Sequence, residues 1–242
     1  KSILPIDAND FRKWYIVETN FKWSFETQSI ILALGTKKRK LWVPWEKEFF
    51  GKWVSYCATC DGFFYRNKTV AVVWWWDSAL IEAVYLAWIC QKVYLVHRRN
   101  EFRAEPIRIQ KVKAKENIEI ITPAVIDKIN GETNVKSMDL SIWKDKNTFA
   151  DSKDIEKKTI EVDGVFVAVG TLPASMQWLD EFMARDEKWY IRVSTHKHTN
   201  LDWVFAAGDC TNGSWGFRQL VTACAEWAVA AESAFKYLSH LY

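Results

Sequence analysis

The stretch Lys68-Thr69-Val70-Ala71-Val72-Val73-Trp74-Trp75-Trp76-Asp77-Ser78-Ala79-Leu80 decides the fold of this chain. Its first six residues form a compact apolar run, which reads as a buried strand. From Asp77 to Cys90 the spacing turns helical, with Leu80, Ala83, Val84 and Ala87 on one face. Lys92-Val93-Tyr94-Leu95-Val96 reads as a second strand. Strand, helix and strand within about 30 residues make a βαβ unit, hence a parallel sheet with a right-handed crossover. Three consecutive tryptophans at the strand end are not ordinary core aromatics, because neighbouring residues of a strand face opposite sides.

Immediately upstream lies Ser55-Tyr56-Cys57-Ala58-Thr59-Cys60-Asp61-Gly62-Phe63-Phe64. Two cysteines at this spacing can close a small disulfide ring and reopen it. Beside a βαβ pattern they read as a redox dithiol. The competing reading is half of a structural zinc site. Zinc needs four ligands, usually from two such pairs. Cys90, Cys210 and Cys224 stand alone and no His pair has ligand spacing, so no metal is expected. Asp61 directly follows the second cysteine, where a carboxylate can carry protons as thiol and thiolate interconvert.

Further out, Tyr15–Thr19 and Ser24–Thr27 read as two strands about a turn. Ser29–Thr36, Val165–Gly170 and Trp203–Asp209 are short apolar runs closing on glycine, as buried parallel strands do. Residues 101–115 read as a helix and Asn117–Ile121 as a strand. Met138–Trp143 and Lys158–Val162 bracket a polar loop, as a hairpin would. Leu220–Leu238 is an Ala-rich helix. The lone cysteines read as buried, unreactive thiols.

With 242 residues and 49% hydrophobic content the chain can bury a substantial core. Its 33 basic and 30 acidic residues nearly balance, arguing against nucleic acid or a membrane surface as partner. No apolar run reaches the ~18 residues of a membrane span. Lys1–Asp10 has no apolar signal-peptide core. An odd cysteine count is unlike a fully disulfide-bonded secreted scaffold. The expected setting is the cytoplasm. One number stands out: the chain has 15 Trp and 9 Gly, where ordinary usage gives about 17 Gly.

Several motifs together resemble the low-molecular-weight thioredoxin reductases of bacteria and archaea, within the pyridine nucleotide–disulfide oxidoreductases. They are Ile31–Thr36, Cys57-Ala58-Thr59-Cys60-Asp61-Gly62, His97-Arg98-Arg99 with Phe102-Arg103-Ala104, Gly208-Asp209-Cys210, and Arg218-Gln219-Leu220 with Ala223. The resemblance implies an α/β fold of two Rossmann-like nucleotide-binding domains. A flavin domain, 1–41 and 164–242, would hold an inserted NADPH domain, 42–163. It implies electron flow from NADPH through FAD to the Cys57–Cys60 disulfide, and on to thioredoxin, in a homodimer. Cys60 would face the flavin and Asp61 would relay protons. Flavin contacts are expected from Gly35, Gly170, Gly208, Asp209, Arg218, Gln219 and Ala223. Nicotinamide nucleotide contacts are expected from Asp77, Ser78 and Ala79 at the helix start, and from His97, Arg98, Arg99 and Arg103. Bases at that distance beyond the turn suit a 2′-phosphate rather than a ribose hydroxyl.

The sequence departs from the family in two ways. The family opens with a strand and a Gly-rich turn for the flavin pyrophosphate, and nothing like them precedes Lys1. Trp also stands at expected Gly positions: 42, 45, 53, 74, 75, 76, 203 and 227. Repetition of one replacement suggests an altered sequence rather than drift. Glycines in a dinucleotide turn permit positive φ and close approach of backbone to pyrophosphate. Trp74–Trp76 are therefore not expected to cradle a dinucleotide. The rival expectation is a non-catalytic or engineered fragment of this fold that no longer binds cofactors. An alkyl hydroperoxide reductase flavoprotein would need an additional N-terminal thiol domain.

Overall fold

The computed structural model describes residues 2–5, 15–18, 22–74, 78–102, 104–144, 154–174, 181–213 and 217–240. The chain forms two compact units, 38–170 and 1–37 with 171–242.

Unit 38–170 is built on five parallel strands. In spatial order they are β6 (Val54–Ser55), β13 (Gly164–Ala168), β7 (Thr69–Trp74), β8 (Lys92–His97) and β9 (Ile118–Ile121). Helix α2 (Ser78–Ala87) makes the crossover from β7 to β8. The alternation of β7 explains the layering. Val70 and Val72 pack with Leu80, Ala83 and Leu86 of α2. Ala71 and Val73 face the other way, against Ile126, Ile129, Met138 and Leu140. Those four belong to an antiparallel meander of β10 (Ala124–Gly131), β11 (Val135–Trp143) and β12 (Ile155–Glu161). The sheet is thus covered on both faces, which is why its strands read as unbroken apolar runs. Each fully buried Val or Leu contributes about 1.5–3 kcal/mol of transfer free energy.

The helix expected over 101–115 is shorter, α3 (Pro106–Lys113). Pro106 sets its start. Proline suits the first helical turn, while it drives the preceding Glu105 to an extended backbone, with ψ 132°.

In the other unit β4 (Ile30–Leu32) pairs in parallel with β15 (Val204–Ala206). Val204 and Ala206 pack with Leu32, Met183 and Ile191. Phe205 faces Ala230 and Ala234 of α4 (Leu220–Ser239). A three-stranded antiparallel sheet joins β1 (Ser2–Pro5), β2 (Tyr15–Glu18) and β3 (Ser24–Thr27). Tyr15 stacks on Trp203, ring centroids 3.6 Å apart. Strands β5 (Thr36–Lys38) and β14 (Thr171–Pro173) form a two-stranded sheet.

Candidate functional site

Cys57 and Cys60 are joined by a disulfide, with Cα atoms 5.3 Å apart. Cys57 leaves β6 in an extended conformation and caps the one-turn helix α1 (Ala58–Asp61). Its Sγ accepts from the Cys60 N–H at 3.1 Å. Ser55 organises the turn: its Oγ accepts from the Cys57 N–H at 3.1 Å and donates to Asp61 Oδ2 at 2.6 Å. The Asp61 carboxylate is therefore held beside the dithiol by a buried serine six residues before it and two before Cys57.

The turn lies close against α2. A Cβ on Gly62 would stand 3.1 Å from the Tyr85 ring and 3.2 Å from Leu86, tighter than ordinary packing. Upstream, the buried carboxylate of Glu46 accepts from the Leu41 and Trp42 N–H groups, each at 2.9 Å, and from the Tyr56 hydroxyl at 2.6 Å. Burial and that carboxylate push the Tyr56 hydroxyl pKa upward, so it remains a donor. The segment before the dithiol is thus tied at three points. Cys60 is exposed, and next to the disulfide Phe63 and Phe64 are 69% and 70% exposed.

The basic stretch divides. His97 ends β8 at 4% exposure, its ring 5.8 Å from that of Phe102. Arg98 and Arg99 are exposed in the loop beyond. Ser78 and Ala79 open α2. Asp77 and Arg103 lie outside the described residues, as do Trp75 and Trp76; Trp74 is the last residue of β7, opposite Ala168 and His97.

In the other unit the expected flavin residues gather at the C-terminal ends of β4 and β15. Gly35 and Gly208 adopt φ +67° and +77°, conformations that glycine takes without strain. Thr36 Oγ1 donates to Asp209 Oδ2 at 3.5 Å. Arg218 Nε donates to the Asp209 carbonyl at 3.4 Å, and its guanidinium lies 4.1 Å over the Tyr190 ring. Gln219 caps α4 reciprocally with Thr222, and a Cβ on Gly208 would meet that of Ala223 at 3.5 Å. Gly170, in unit 38–170, has φ +92° and its carbonyl accepts from the Arg39 N–H at 3.0 Å.

Trp42, Trp45 and Trp53 occupy left-handed backbone at φ +62°, +71° and +81°. Bulky residues are rarely found there. Trp189, which sequence reasoning did not single out, joins them at +69°. Trp203 and Trp227 show no such conformation; Trp227 lies within α4 at 54% exposure. Cys224 is a correction: it is exposed on α4, whereas Cys90 and Cys210 are buried. Burial raises the Cys90 thiol pKa to about 11 and pushes that of Cys210 upward.

A family model for pyridine nucleotide-disulphide oxidoreductases matches residues 6–234. Thioredoxin reductase of Helicobacter pylori is 42% identical over 90% of this chain and 68% of its own length. The chain belongs to the thioredoxin reductase family. Thioredoxin reductase of Bacillus subtilis is 33% identical over 96% of the chain and 70% of its own length. The crystal structure of thioredoxin reductase from Streptococcus pyogenes superposes with a TM-score of 0.83 at 30% identity, covering 98% of this chain and 72% of that one. The family's two Rossmann-like domains account for the parallel sheets, and its redox disulfide for Cys57–Cys60. Its cofactors are FAD and NADPH.

Sequence reasoning missed Ser55 as the holder of Asp61, Glu46 as the anchor of the preceding loop, and a buried Lys197–Glu226 pair. For the last a signal existed: Glu226 is an isolated acid in the Ala-rich run Ala223-Cys224-Ala225-Glu226. Among the described residues no helix is long and apolar enough to cross a membrane, and no group of three or more His, Cys, Asp or Glu is placed to hold a metal.

Proposed function

We propose that this chain is an NADPH-dependent disulfide reductase that passes electrons through FAD and Cys57–Cys60 to thioredoxin or a thioredoxin-like protein. The observation that carries the reading is the Cys57–Cys60 disulfide with Asp61 locked beside it through Ser55. Reduction of the disulfide takes two electrons and two protons. Electron delivery to Cys60 breaks the S–S bond and releases Cys57 as a thiolate, which the Cys60 N–H stabilises. Asp61 shuttles the protons. The dithiol then reduces the partner's disulfide by exchange through a mixed disulfide. Exposed Phe63 and Phe64 supply an apolar landing surface for that partner.

The unit 1–37 with 171–242 is the flavin domain in this reading. Gly35, Thr36, Gly208, Asp209, Arg218, Gln219 and Ala223 would hold FAD at the carboxyl ends of the parallel strands, where open α/β sheets bind ligands. The open space at Gly35 and the left-handed Gly208 fit a group approaching the backbone closely. FAD, when bound, supplies the two-electron link between nucleotide and disulfide. Unit 38–170 is the NADPH domain. Exposed Arg98 and Arg99 fit a 2′-phosphate, following the buried His97 at the end of β8. Arg103, Asp77, Ser78 and Ala79 complete the proposed set; Gly170, expected among the flavin contacts, falls at the end of this unit. The family's homodimeric state and a cytoplasmic setting belong to the same reading.

The second reading, a chain that keeps the fold without its cofactors, is favoured by tryptophans in left-handed backbone. Purification in air followed by thiol counting and an absorbance spectrum separates the two. The reductase reading expects two additional thiols after mild reduction and flavin absorbance. A colourless protein, or an unchanged thiol count, overturns it.

A further inference from the structure

Lys197 and Glu226 form an ion pair, Nζ to Oε1 3.0 Å, with residue exposures of 8% and 6%. A buried pair is not by itself a source of stability, because desolvation offsets the attraction. Its geometry matters more. Glu226 Oε2 accepts from the Gly208 N–H at 2.8 Å and from Thr211 Oγ1 at 3.3 Å. Lys197 comes from a turn with φ +65°, whose carbonyl accepts from the Ala206 N–H at 3.1 Å. One carboxylate therefore ties three segments: the 194–198 turn, the turn after β15, and α4. Gly213 leaves room for it, since a Cβ there would collide with both Glu226 and Lys197.

Gly208 is the left-handed residue that turns the chain from β15 into Asp209. The Gly208 N–H fixes the Ala207–Gly208 peptide plane, from which the left-handed glycine turns. The Gly208 carbonyl, in the peptide that leads to Asp209, accepts from the Thr211 N–H at 3.0 Å and from Thr211 Oγ1 at 2.9 Å, so both planes of the turn are held. We propose that Glu226 is a positioning residue for the flavin site: it fixes the Gly208 peptide so that the Asp209 carboxylate is pre-aimed at the flavin's hydroxyl-bearing chain. Lys197 holds Glu226 in that orientation. The inference rests on the proposed flavin site, and it adds two residues to that site that touch no ligand.

The test compares the whole chain with Glu226→Gln, Glu226→Ala and Lys197→Met, and with Glu232→Gln as control. Glu232 pairs with Lys236 on the exposed side of the same helix. Two quantities are measured: FAD dissociation constant from flavin fluorescence, and amide hydrogen exchange at Gly208 in the flavin-free chain. Glu226→Gln keeps the size of the side chain and guards against simple collapse of the fold. The three pair variants are expected to raise the FAD dissociation constant at least tenfold and to speed exchange at Gly208 at least tenfold. Glu232→Gln is expected to leave both within twofold. Variants that bind FAD within threefold of the parent, or that lose FAD without faster exchange at Gly208, overturn the positioning role. If the parent itself takes up no FAD, the flavin reading fails. Gly208 exchange then decides the positioning role alone: faster exchange in the pair variants supports it, and unchanged exchange overturns it.

Discussion

In unit 38–170 a five-stranded parallel sheet carries an apolar layer on each face, helices on one side and a meander on the other. In the unit of 1–37 and 171–242 the parallel core is two short strands, with small apolar clusters on either side. Both units present candidate site residues at strand ends, yet they fix them differently. The dithiol turn has its Ser55 hydrogen bonds but is also clamped by shape, with Gly62 flush against α2 and Tyr65 edge-on to Phe166 at 4.7 Å. The Gly208–Asp209 turn is clamped by polar contacts, with the Gly208 amide, Lys197 and Thr211 around the one carboxylate of Glu226. Where the apolar layers are thick, a site inherits rigidity from close packing. Where they are thin, directional hydrogen bonds supply it, and their removal leaves buried polar groups unsatisfied.

The largest expected effect lies in the thick core. Phe166 is fully buried between the sheet and Tyr65, so Phe166→Ala is expected to cost about 3–5 kcal/mol in urea unfolding. Phe205→Ala, in the thin core, is expected at the low end, about 3 kcal/mol, because its neighbours Ala230 and Ala234 leave a site better able to collapse. A greater loss for Phe205→Ala than for Phe166→Ala overturns the contrast.

A smaller effect is set by pH. Burial of Glu82 on α2 raises its carboxyl pKa from 4.5 to about 7, with Lys38 acting weakly in the opposite direction. The folded state therefore binds a proton more tightly than the unfolded chain. The stabilisation from that proton is fully present below the unfolded value near 4.5 and is lost as pH rises through about 7. At 1.36 kcal/mol per unit, the span is about 3 kcal/mol. Denaturant midpoints measured from pH 5 to 8 should decline in the parent and stay flatter in Glu82→Gln. Identical slopes would show that Glu82 is well hydrated.

The smallest effects concern the left-handed tryptophans, and they differ in sign. Trp42 is 84% exposed, so Trp42→Gly relieves strain at little packing cost and should stabilise by about 1 kcal/mol. Trp53 sits edge-on to Tyr65 at 5.2 Å and beneath the Lys68 ammonium at 3.3 Å. Its lost contacts should cancel or outweigh the relief. Thermal melting of the two variants checks the opposition; a larger gain for Trp53→Gly would mean that its contacts contribute little.

The β7–α2–β8 crossover was legible because a doubly covered strand leaves an unbroken apolar run and a buried helix face leaves helical spacing. Strand β1 was not: Ser2-Ile3-Leu4-Pro5 is too short to show alternation and ends on proline. The start of α3 was misjudged because the effect of Pro106 on Glu105 outweighs the helical composition before it. Cys224 is expected to be buried only because free cysteines usually are, and it is exposed. The buried side of α4 runs through Glu226, Ala230, Ser233 and Ala234, and at 100° per residue Cys224 falls away from it. The dithiol and Asp61 stand within one decapeptide, so their pairing is local in the sequence. Lys197 and Glu226 meet only through the tertiary fold, and His97 turned inward because β8 runs one residue further than its apolar run suggested.

The left-handed backbone at 42, 45, 53 and 189 carries information of its own. A main chain that bends as though a residue had no side chain is a second copy of the message, kept in torsion angles rather than letters. Where the two copies agree, as at Gly35 and Gly208, the local rule is intact. Where a tryptophan disagrees with its torsion angle, the chain's intact mass is the check, and Trp189 joins Trp42, Trp45 and Trp53 in that group although the letters alone raise no question there.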